Sequence, residues 1–452
     1  MNSDPSPDFT MSAMAALAAI RNKDVSAREL TLYFLEKAET ANATTGALRK
    51  ILFEQALDTA EAIDVALASG DEIGPLCGLP VVVKENCDLA GCNCSAGLSF
   101  RSNQRPDIDA AIVNRLRQAG AVIIGTSVSD PGAFSTRTLE VTHPVNPDLT
   151  VGGSSGGSGA ALRAGMCLGA IGTDTGGSIR IPAACCGVVG LKPTFGAFPM
   201  DGIFPLVPSL DHVGPMARSV AEAEILWAGL SGQGFNGHRK PQVIGYDPSW
   251  LKEADQDVQE AFSNFLSACV ELGVLTKPVT LPDLDDVSGI HGTLFLDEAL
   301  TWHMRHFAEQ RTEYPTIAQT WFDLAEQADP KAVLKAKDHR KRLIATLGAI
   351  LSEVDFIATP TLLQAAIPRI AEAIEIAGQT LETTMAMVRT TSLFNHTGHP
   401  AIALPIGSMK DGAQASLQLV ATRSQETALL RMANSIQSHF VELARTLPTP
   451  KP

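Results

Sequence analysis

Two glycine-rich clusters, each with a serine near its centre, constrain most strongly what this chain can fold into. The first surrounds Ser154 and the second surrounds Ser178, within the segment 151–194, VGGSSGGSGAALRAGMCLGAIGTDTGGSIRIPAACCGVVGLKPT. Glycine-rich runs are commonly flexible linkers, but each of these leads directly into an apolar stretch that should be buried. Glycine lets the backbone approach other backbone or a ligand closely, so the clusters predict tight turns. A serine at such a turn suits a nucleophile beside an oxyanion hole.

Other catalytic and phosphate-binding motifs are disfavoured by the residues around them. No lysine follows either cluster as a phosphate-binding P-loop requires. Residues 152–156 fit G-x-S-x-G, but the nucleophile elbow of α/β-hydrolases must follow a strand, and Pro144 and Pro147 make the preceding segment a poor one. Ser249 and Lys252 fit S-x-x-K, yet no K-T-G or S-D-N partner accompanies them.

Composition and charge limit the classes of function. The chain has 452 residues, of which 45% are hydrophobic, and its 35 basic and 49 acidic residues give a net charge of −14. Because no dense basic run occurs, nucleic acid and anionic membranes are disfavoured as partners. No apolar run reaches the length of a membrane span, and the N-terminus lacks the basic segment of a signal peptide. These features predict a soluble, cytoplasmic protein.

The cysteines favour a reducing compartment as well. Eight cysteines are too few for a disulfide framework at this length, and several lie in apolar contexts where a thiol packs as a small hydrophobic group. Cys92 and Cys94 lack the two-residue spacer and the second ligand pair that a zinc site needs. We therefore expect reduced thiols and no metal or organic cofactor.

Alternating helical and strand patterns predict an α/β fold. We expect one large domain, residues 10–447, with a mixed, mostly central β-sheet that helices cover on both faces, after a disordered segment 1–9. Residues 50–68 have a helical pattern. Residues 255–354 are mostly helical in pattern and should form a wall of a pocket.

Two capping boxes of the form S-x-x-E mark predicted helix starts. One joins Ser26 to Glu29, and the other joins Ser219 to Glu222. In such a box the serine side chain and the glutamate side chain each satisfy a backbone N–H at the first turn, so both positions predict a helix beginning there.

A serine nucleophile needs a base, and the sequence offers two kinds. None of the ten histidines stands with a serine and a carboxylate in a recognisable pattern, and His396 and His399 stay open as pocket or packing residues. Lys84 ends the apolar run LPVVV, where burial would lower its pKa and let it act as a neutral base. Lys192 lies in a similar setting, and the residues alone do not separate these two lysines.

A set of motifs resembles the amidase signature family of serine hydrolases from about residue 78 to 407. The motifs that carry the resemblance are GLPVVVKEN, GGSSGGSGAAL, GTDTGGSIRIPAACCGVVGLKPT, SLDHVGP, DFIATPT and FNHTGHPAIALPIG. The resemblance implies the amidase signature fold. It also implies that Lys84 is the general base, that Ser154 is a bridging serine preceded by a cis peptide, and that Ser178 is the acylated nucleophile. The oxyanion hole that it implies is formed by backbone N–H groups of Thr175, Gly176, Gly177 and Ser178.

Other residues near the two serines have expected supporting roles. Asp174 and Arg180 flank the nucleophile, and we interpret them as an ion-pair or hydrogen-bond frame for the turn. Ser155 should support Ser154, with a plain turn serine as the alternative. Ser158 is given no catalytic role.

Two segments depart from the common family pattern. They are 86–97, NCDLAGCNCSAG, and 125–147, GTSVSDPGAFSTRTLEVTHPVNP, in which Thr126 and Ser127 stand where relatives usually have Thr-Asn. Both segments should border the acyl pocket, so the substrate stays open while the catalytic set is complete.

The resulting functional prediction is an amidase that hydrolyses a small carboxamide through an acyl-enzyme to an acid plus ammonia or an amine. The first alternative is the glutamine-hydrolysing subunit of a tRNA-dependent amidotransferase. The second is a hydrolase of biuret or urea-type substrates, in which Arg137 would be a carboxylate anchor or merely a solvated charge. The third is an inactive, ligand-binding family member. The expected partner is a small-molecule amide, and a homodimer is left open.

Overall fold

A large mixed β-sheet forms the centre of the fold. The computed structural model describes residues 11–234 and 243–446, so the predicted disordered segment 1–9 and both ends of the predicted domain 10–447 lie outside the described residues. Within these ranges the strands are β1 (Leu48–Ile51), β2 (Pro80–Lys84), β3 (Val122–Ser127), β4 (Gly169–Asp174), β5 (Val189–Lys192), β6 (His212–Ala217), β7 (Val243–Tyr246), β8 (Leu275–Pro278), β9 (Phe356–Pro360), β10 (Ala373–Ile376), β11 (Gln379–Glu382), β12 (Ala401–Ser408) and β13 (Gln414–Ala421).

Helices fill most of the chain between the strands. They are α1 (Ala13–Arg21), α2 (Ala27–Thr45), α3 (Phe53–Ser69), α4 (Ala111–Gln118), α5 (Gly156–Arg163), α6 (Arg180–Cys186), α7 (Val220–Ser231), α8 (Pro248–Lys252), α9 (Gln256–Glu271), α10 (Leu284–Phe307), α11 (Thr316–Glu326), α12 (Pro330–Glu353), α13 (Thr383–Val388), α14 (Leu393–His396) and α15 (Glu426–Thr446). Short 3₁₀ turns occur at Ser99–Arg101, Pro131–Ala133, Ala308–Glu313 and Lys410–Gly412.

Eleven of these strands form one sheet in the order β1-β3-β2-β4-β6-β5-β12-β13-β9-β7-β8, and β10 and β11 form a separate hairpin. The sheet is mixed. β2 runs parallel to both β3 and β4, and β7 runs parallel to both β8 and β9. The middle of the sheet, from β4 through β13, is antiparallel.

Apolar side chains pack on both faces of this sheet. Successive residues of a strand point to opposite faces. On β9, Phe356 and Ala358 belong to one buried cluster, which also holds Leu429 of α15, while Ile357 belongs to a second cluster together with Ile181 of α6. Helices therefore cover both faces, and the predicted α/β fold with one large mixed sheet is confirmed.

Only one of the two predicted capping boxes is complete in the structure. The box at Ser26 is complete, with the Ser26 hydroxyl and the Glu29 carboxylate each accepting the predicted backbone N–H. At α7 the box is only half formed. The Ser219 hydroxyl accepts the N–H of Glu222, but the Glu222 carboxylate accepts from the N–H groups of Ala13 and Arg218 instead.

The predicted helix over 50–68 is wrong at its start. Residues Leu48–Ile51 form β1, which pairs antiparallel with β3, and α3 begins only at Phe53. β1 is the edge strand of the sheet. Its pairing with β3 overrides the helical pattern at Lys50 and Ile51, the first two residues of the predicted helix.

The region 255–354 contains α9, α10, α11 and α12, together with β8 at the edge of the sheet. All eight cysteines are free and buried, as expected for thiols that pack as small hydrophobic groups. None of the helices that the structure describes is both long enough and apolar enough to cross a bilayer.

Candidate active site

Lys84 reaches the centre of the molecule because it is the last residue of β2, which lies between β3 and β4. Its side chain is fully buried. The Nζ atom donates to Ser154 Oγ at 2.7 Å and to Thr173 Oγ1 at 2.9 Å. The amide of Asn86 donates to the same threonine oxygen at 3.1 Å. Two hydroxyl groups, rather than a carboxylate, are thus the direct partners of this lysine.

Burial is the main influence on the Lys84 amine. Removal from water disfavours the ammonium form and lowers the pKa of Lys84 to about 8, although the carboxylates of Asp130 and Asp174 act in the opposite direction. Asp130 is itself buried, which raises the pKa of its carboxyl group to about 7, although the N–H of Ser135 donates to it. A lysine of this kind supplies an appreciable neutral fraction near neutral pH.

Lys192 is also fully buried, and burial holds its pKa well below the usual range. Its Nζ atom donates to the carbonyl oxygens of Pro193 and His399, at 3.0 and 2.7 Å. It has no serine partner among the described residues. The geometry therefore separates the two lysines that the sequence pattern could not, and only Lys84 contacts a serine hydroxyl.

The first glycine cluster is a close-packed turn rather than a linker. The peptide bond between Gly153 and Ser154 is cis, as the resemblance implied. A Cβ atom added to Gly153 would lie 2.7 Å from the backbone nitrogen of Arg137, and one added to Gly157 would lie 2.4 Å from the carbonyl oxygen of Ala47. Neither glycine has room for a side chain.

The second cluster lies between β4 and α6 and meets the first through backbone. The N–H of Ser155 donates to the carbonyl oxygen of Ser178 at 3.2 Å, so the two serine-bearing turns are adjacent. The Ser178 hydroxyl has no hydrogen-bond partner in the described ranges, and Ser178 lines a cavity. The hydrogen-bond chain thus runs from Lys84 to Ser154, while the step between the hydroxyls of Ser154 and Ser178 is not closed by a hydrogen bond. Catalytic hydrogen bonds in unliganded proteins commonly tighten only when substrate binds.

Side chains from other parts of the chain hydrogen-bond to the turn 175–178, whereas its own backbone N–H groups stay free. None of its four backbone N–H groups donates to an acceptor among the residues described. Thr175 Oγ1 donates to Asp211 Oδ1, and Thr391 Oγ1 donates to the carbonyl oxygen of Gly176. Gly177 has φ 142°, and a Cβ atom there would lie 2.4 Å from Thr391 Oγ1. A rigid turn with free N–H groups is the arrangement that an oxyanion hole requires.

Asp174 and Arg180 form the ion pair that was expected to frame this turn. Both side chains are fully buried, and the guanidinium donates from Nε and Nη2 to the two carboxylate oxygens at 3.0 and 2.9 Å. Burial favours the neutral acid, but the Arg180 charge outweighs it, and the pKa of Asp174 lies well below its usual range. Asp174 Oδ2 also accepts from the N–H of Ile179, just after the turn. Asn395 and Gln418 accept further guanidinium N–H groups.

The two other serines of the first cluster bind structural partners. Ser155 Oγ donates to the carbonyl oxygen of Thr173 at 3.2 Å, which ties the first cluster to β4 next to a partner of Lys84. Ser158 Oγ hydrogen-bonds Ser127 Oγ at 2.7 Å and donates to the carbonyl oxygen of Ile171.

A cavity of 450 Å³ opens beside the Ser178 turn. Its wall is mostly apolar. It is formed by α10, α11 and α13 and by segment 125–147, which differs from the common pattern of the resembling family. The lining residues are Ala133, Phe134, Ser135, Thr136, Thr175, Gly176, Ser178, Leu206, His291, Gly292, Phe295, Leu296, Thr320, Trp321, Leu324, Glu382, Thr384, Met385 and Val388. Arg137, the carboxylate anchor that the sequence left open, is not among them, and its Nη1 donates to the carbonyl oxygen of Ala371.

Several residues of the site were not predicted from the sequence. Thr173 and Asp211 lie inside motifs that were quoted for the resemblance, so their position beside Lys84 and Thr175 could have been suspected. Thr391 precedes the last quoted motif and carried no signal. Neither did His291, which lies on α10, lines the cavity and hydrogen-bonds His396.

The described residues contain no group of three or more His, Cys, Asp and Glu side chains arranged to hold a metal ion. His396 and His399, which the sequence left open as pocket or packing residues, are both absent from the cavity lining and buried.

Comparison with known proteins identifies the family. A family model described as Amidase matches residues 29–430. The chain is 31% identical to AmiD of Mycobacterium tuberculosis, a protein named as a putative amidase, with 92% of each chain covered. It is 29% identical to a glutamyl-tRNA(Gln) amidotransferase subunit of Chlamydia pneumoniae, over 95% of this chain and 96% of that one. A crystal structure of an amidase matches with a TM-score of 0.86 and 29% identity, over 95% of this chain and 99% of the other.

Proposed function

This chain belongs to the amidase signature family, and we propose that it hydrolyses a carboxamide C–N bond with Ser178 as nucleophile, Ser154 as proton relay and Lys84 as base. The observation that carries the proposal is the hydrogen bond of 2.7 Å from Lys84 Nζ to Ser154 Oγ, made inside a fully buried site without a carboxylate partner for the lysine.

The first half-reaction forms an acyl-enzyme. Neutral Lys84 takes the proton of Ser154, Ser154 takes the proton of Ser178, and the Ser178 oxygen attacks the amide carbon. The free N–H groups of the turn 175–178 stabilise the negative oxygen of the tetrahedral intermediate, an effect of about 3 kcal/mol for each donor. As the C–N bond breaks, the proton returns through Ser154 to the departing nitrogen, which leaves as ammonia or an amine.

The second half-reaction reverses the relay. A water molecule gives a proton through Ser154 to Lys84 while its oxygen attacks the Ser178 ester. Collapse of that second tetrahedral intermediate releases the carboxylic acid and returns the proton to the Ser178 oxygen. The frame formed by Asp174 and Arg180 keeps the turn fixed through both halves, because the carboxylate holds the N–H that follows the nucleophile.

A substrate panel tests this proposal. Primary amides, anilides, glutamine and biuret are incubated with the wild-type protein and with Ser178→Ala, and released ammonia or amine is measured. Turnover of at least one amide by the wild type and its loss in a folded Ser178→Ala variant is the expected result. Full turnover by Ser178→Ala would show that another nucleophile acts. If no serine-directed fluorophosphonate labels the wild type, the alternative of an inactive, ligand-binding member gains support.

The glutamine-hydrolysing alternative is supported by the similarity to the amidotransferase chain of Chlamydia pneumoniae. In that case the ammonia would pass to a second protein, which should copurify and support transfer that depends on ATP and tRNA. The biuret or urea-type alternative has less support, because Arg137 donates to a backbone carbonyl and does not line the cavity. Release of free ammonia or amine by the isolated chain favours the simple amidase over the amidotransferase component.

A further inference from the structure

The cavity beside Ser178 contains almost no charge. Among its lining residues the only Asp, Glu, Lys or Arg is Glu382, and its carboxylate accepts the N–H of Met385 at the start of α13. Phe134, Phe295 and Trp321 supply aromatic surface. A substrate group with a carboxylate would lose its hydration here without gaining a cation, whereas an uncharged, apolar group would gain favourable contacts.

His291 adds an imidazole to this wall, which also carries serine and threonine hydroxyl groups. Its ring lies against the oxyanion turn, since a Cβ atom on Gly176 would be 3.0 Å from His291 Nε2. Its Nδ1 atom is 3.1 Å from Nε2 of His396 and makes a hydrogen bond with it. Nε2 of His291 has no hydrogen-bond partner in the described part of the chain, so it is free to meet a ligand in the cavity.

Burial favours the neutral form of both histidines. Burial lowers the pKa of His291 to about 4, and burial together with the neighbouring His291 and Arg340 holds the pKa of His396 well below its usual range. A neutral imidazole carries one N–H and one lone pair. The hydrogen bond between the two rings therefore fixes both tautomers at once, and only two arrangements are possible.

The surroundings of His396 choose between them. Nδ1 of His396 is buried and has no partner among the described residues. If His291 donated through Nδ1, His396 would have to place its own N–H on that buried Nδ1 atom with no acceptor. Buried N–H groups without an acceptor are rare, because each one costs about 1 to 3 kcal/mol. His396 therefore donates from Nε2, and His291 carries its proton on Nε2, which faces the cavity.

We infer that His291 determines specificity by donating a hydrogen bond from Nε2 to an oxygen or nitrogen acceptor on an uncharged, otherwise apolar substrate group, with His396 fixing the donor tautomer. This inference rests on the proposed function, because it describes the substrate of the same Ser178 site. It names the substrate class as aromatic or alkyl amides that carry one neutral acceptor.

Matched ligand pairs test the inference. Methoxy- and ethyl-substituted benzamides and acetanilides (ortho, meta and para isomers) have nearly the same shape, but only the methoxy member has an acceptor. Their binding to Ser178→Ala is measured by calorimetry, and their kcat/KM is measured with the wild type. At least one methoxy isomer should be preferred by about three- to tenfold, the usual worth of one hydrogen bond. The corresponding carboxybenzamide should bind more weakly than either.

Variants on α10 separate the donor from mere packing. His291→Phe should reduce the preferred pair's ratio to about one, while His291→Gln, which keeps an N–H donor, should restore a preference for the methoxy member. His306→Phe is the matched control, because His306 is an exposed residue of the same helix, and it should keep the wild-type ratio.

NMR spectra of ¹⁵N-histidine-labelled protein, assigned with His291→Phe, should show both rings neutral with the proton on Nε2. A proton on His291 Nδ1, or equal affinities for every pair, would overturn the inference. Neither result would touch the proposed function, which is tested separately by amide turnover and acylation in the wild type and in Ser178→Ala.

Discussion

The pH dependence of the reaction follows directly from the burial of Lys84. The pKa of this amine falls from the ordinary 10.5 to about 8, which corresponds to about 3 kcal/mol in favour of the neutral form. At pH 7 about one molecule in ten then holds a neutral Lys84, against about one in three thousand for an ordinary lysine. If neutral Lys84 is the base, kcat/KM should rise about tenfold for each pH unit below 8 and level off above it.

The assay is kcat/KM for one amide between pH 6 and pH 9.5, which reports ionisations of the free enzyme. About a hundredfold increase from pH 6 to the plateau is expected from the fraction of neutral amine. Lys84→Met should lower kcat/KM by about 10²- to 10⁴-fold, the usual contribution of a general base.

Lys192→Met is the matched control, because Lys192 is equally buried but contacts only carbonyl oxygens. Provided that circular dichroism shows a folded protein, this variant should keep the midpoint near 8. Lys84 would not be the titrating base if the profile were flat, if its midpoint lay near 10, or if the midpoint moved in Lys192→Met.

Three further substitutions probe the candidate site around Lys84 and the Ser178 turn. Asp130→Asn removes a carboxylate that favours the Lys84 ammonium, so the midpoint of the same pH profile should move to lower pH, and a move to higher pH would contradict the electrostatic account. Gly177→Ala places a Cβ atom 2.4 Å from a threonine hydroxyl at a φ of 142°, so kcat should fall about 10²- to 10³-fold, whereas Gly289→Ala on α10, with open space around it, should keep wild-type kcat. Asp174→Asn leaves a fully buried guanidinium without its counter-ion, so urea unfolding should show a loss of about 3 to 5 kcal/mol, and a loss below about 1 kcal/mol would mean that the pair is not framing the turn.

The sequence was most informative where chemistry and packing coincide. Tight turns at Ser154 and Ser178 were predictable because glycines that lead into apolar runs cannot belong to a solvated linker. The frame formed by Asp174 and Arg180 was predictable because the two residues flank the turn that carries Ser178. The helix predicted from Lys50 was wrong at its start, because pairing of the edge strand β1 with β3 is a tertiary effect that a local pattern does not contain.

The substrate cavity was the least predictable part. His291 and His396 are 105 residues apart in the chain, and nothing in the local sequence of either shows that their rings meet. The residues alone did not separate Lys84 from Lys192, since both end buried strands. The resemblance favoured Lys84, and the coordinates add that Lys84, not Lys192, hydrogen-bonds a serine. Sequence patterns therefore predicted the candidate reacting groups, whereas the contacts between His291 and His396 come from elements brought together only by the fold.

The central claim is that the oxygen of Ser178 becomes acylated. The most direct test is intact-mass measurement of the wild-type protein quenched during turnover of a slow amide, followed by peptide mapping of the modified residue. We expect a single added acyl group on the peptide that contains Ser178, no adduct in Ser178→Ala, and much slower adduct formation in Ser154→Ala. An acyl group on any other side chain, or turnover by Ser178→Ala at the wild-type rate, would contradict it.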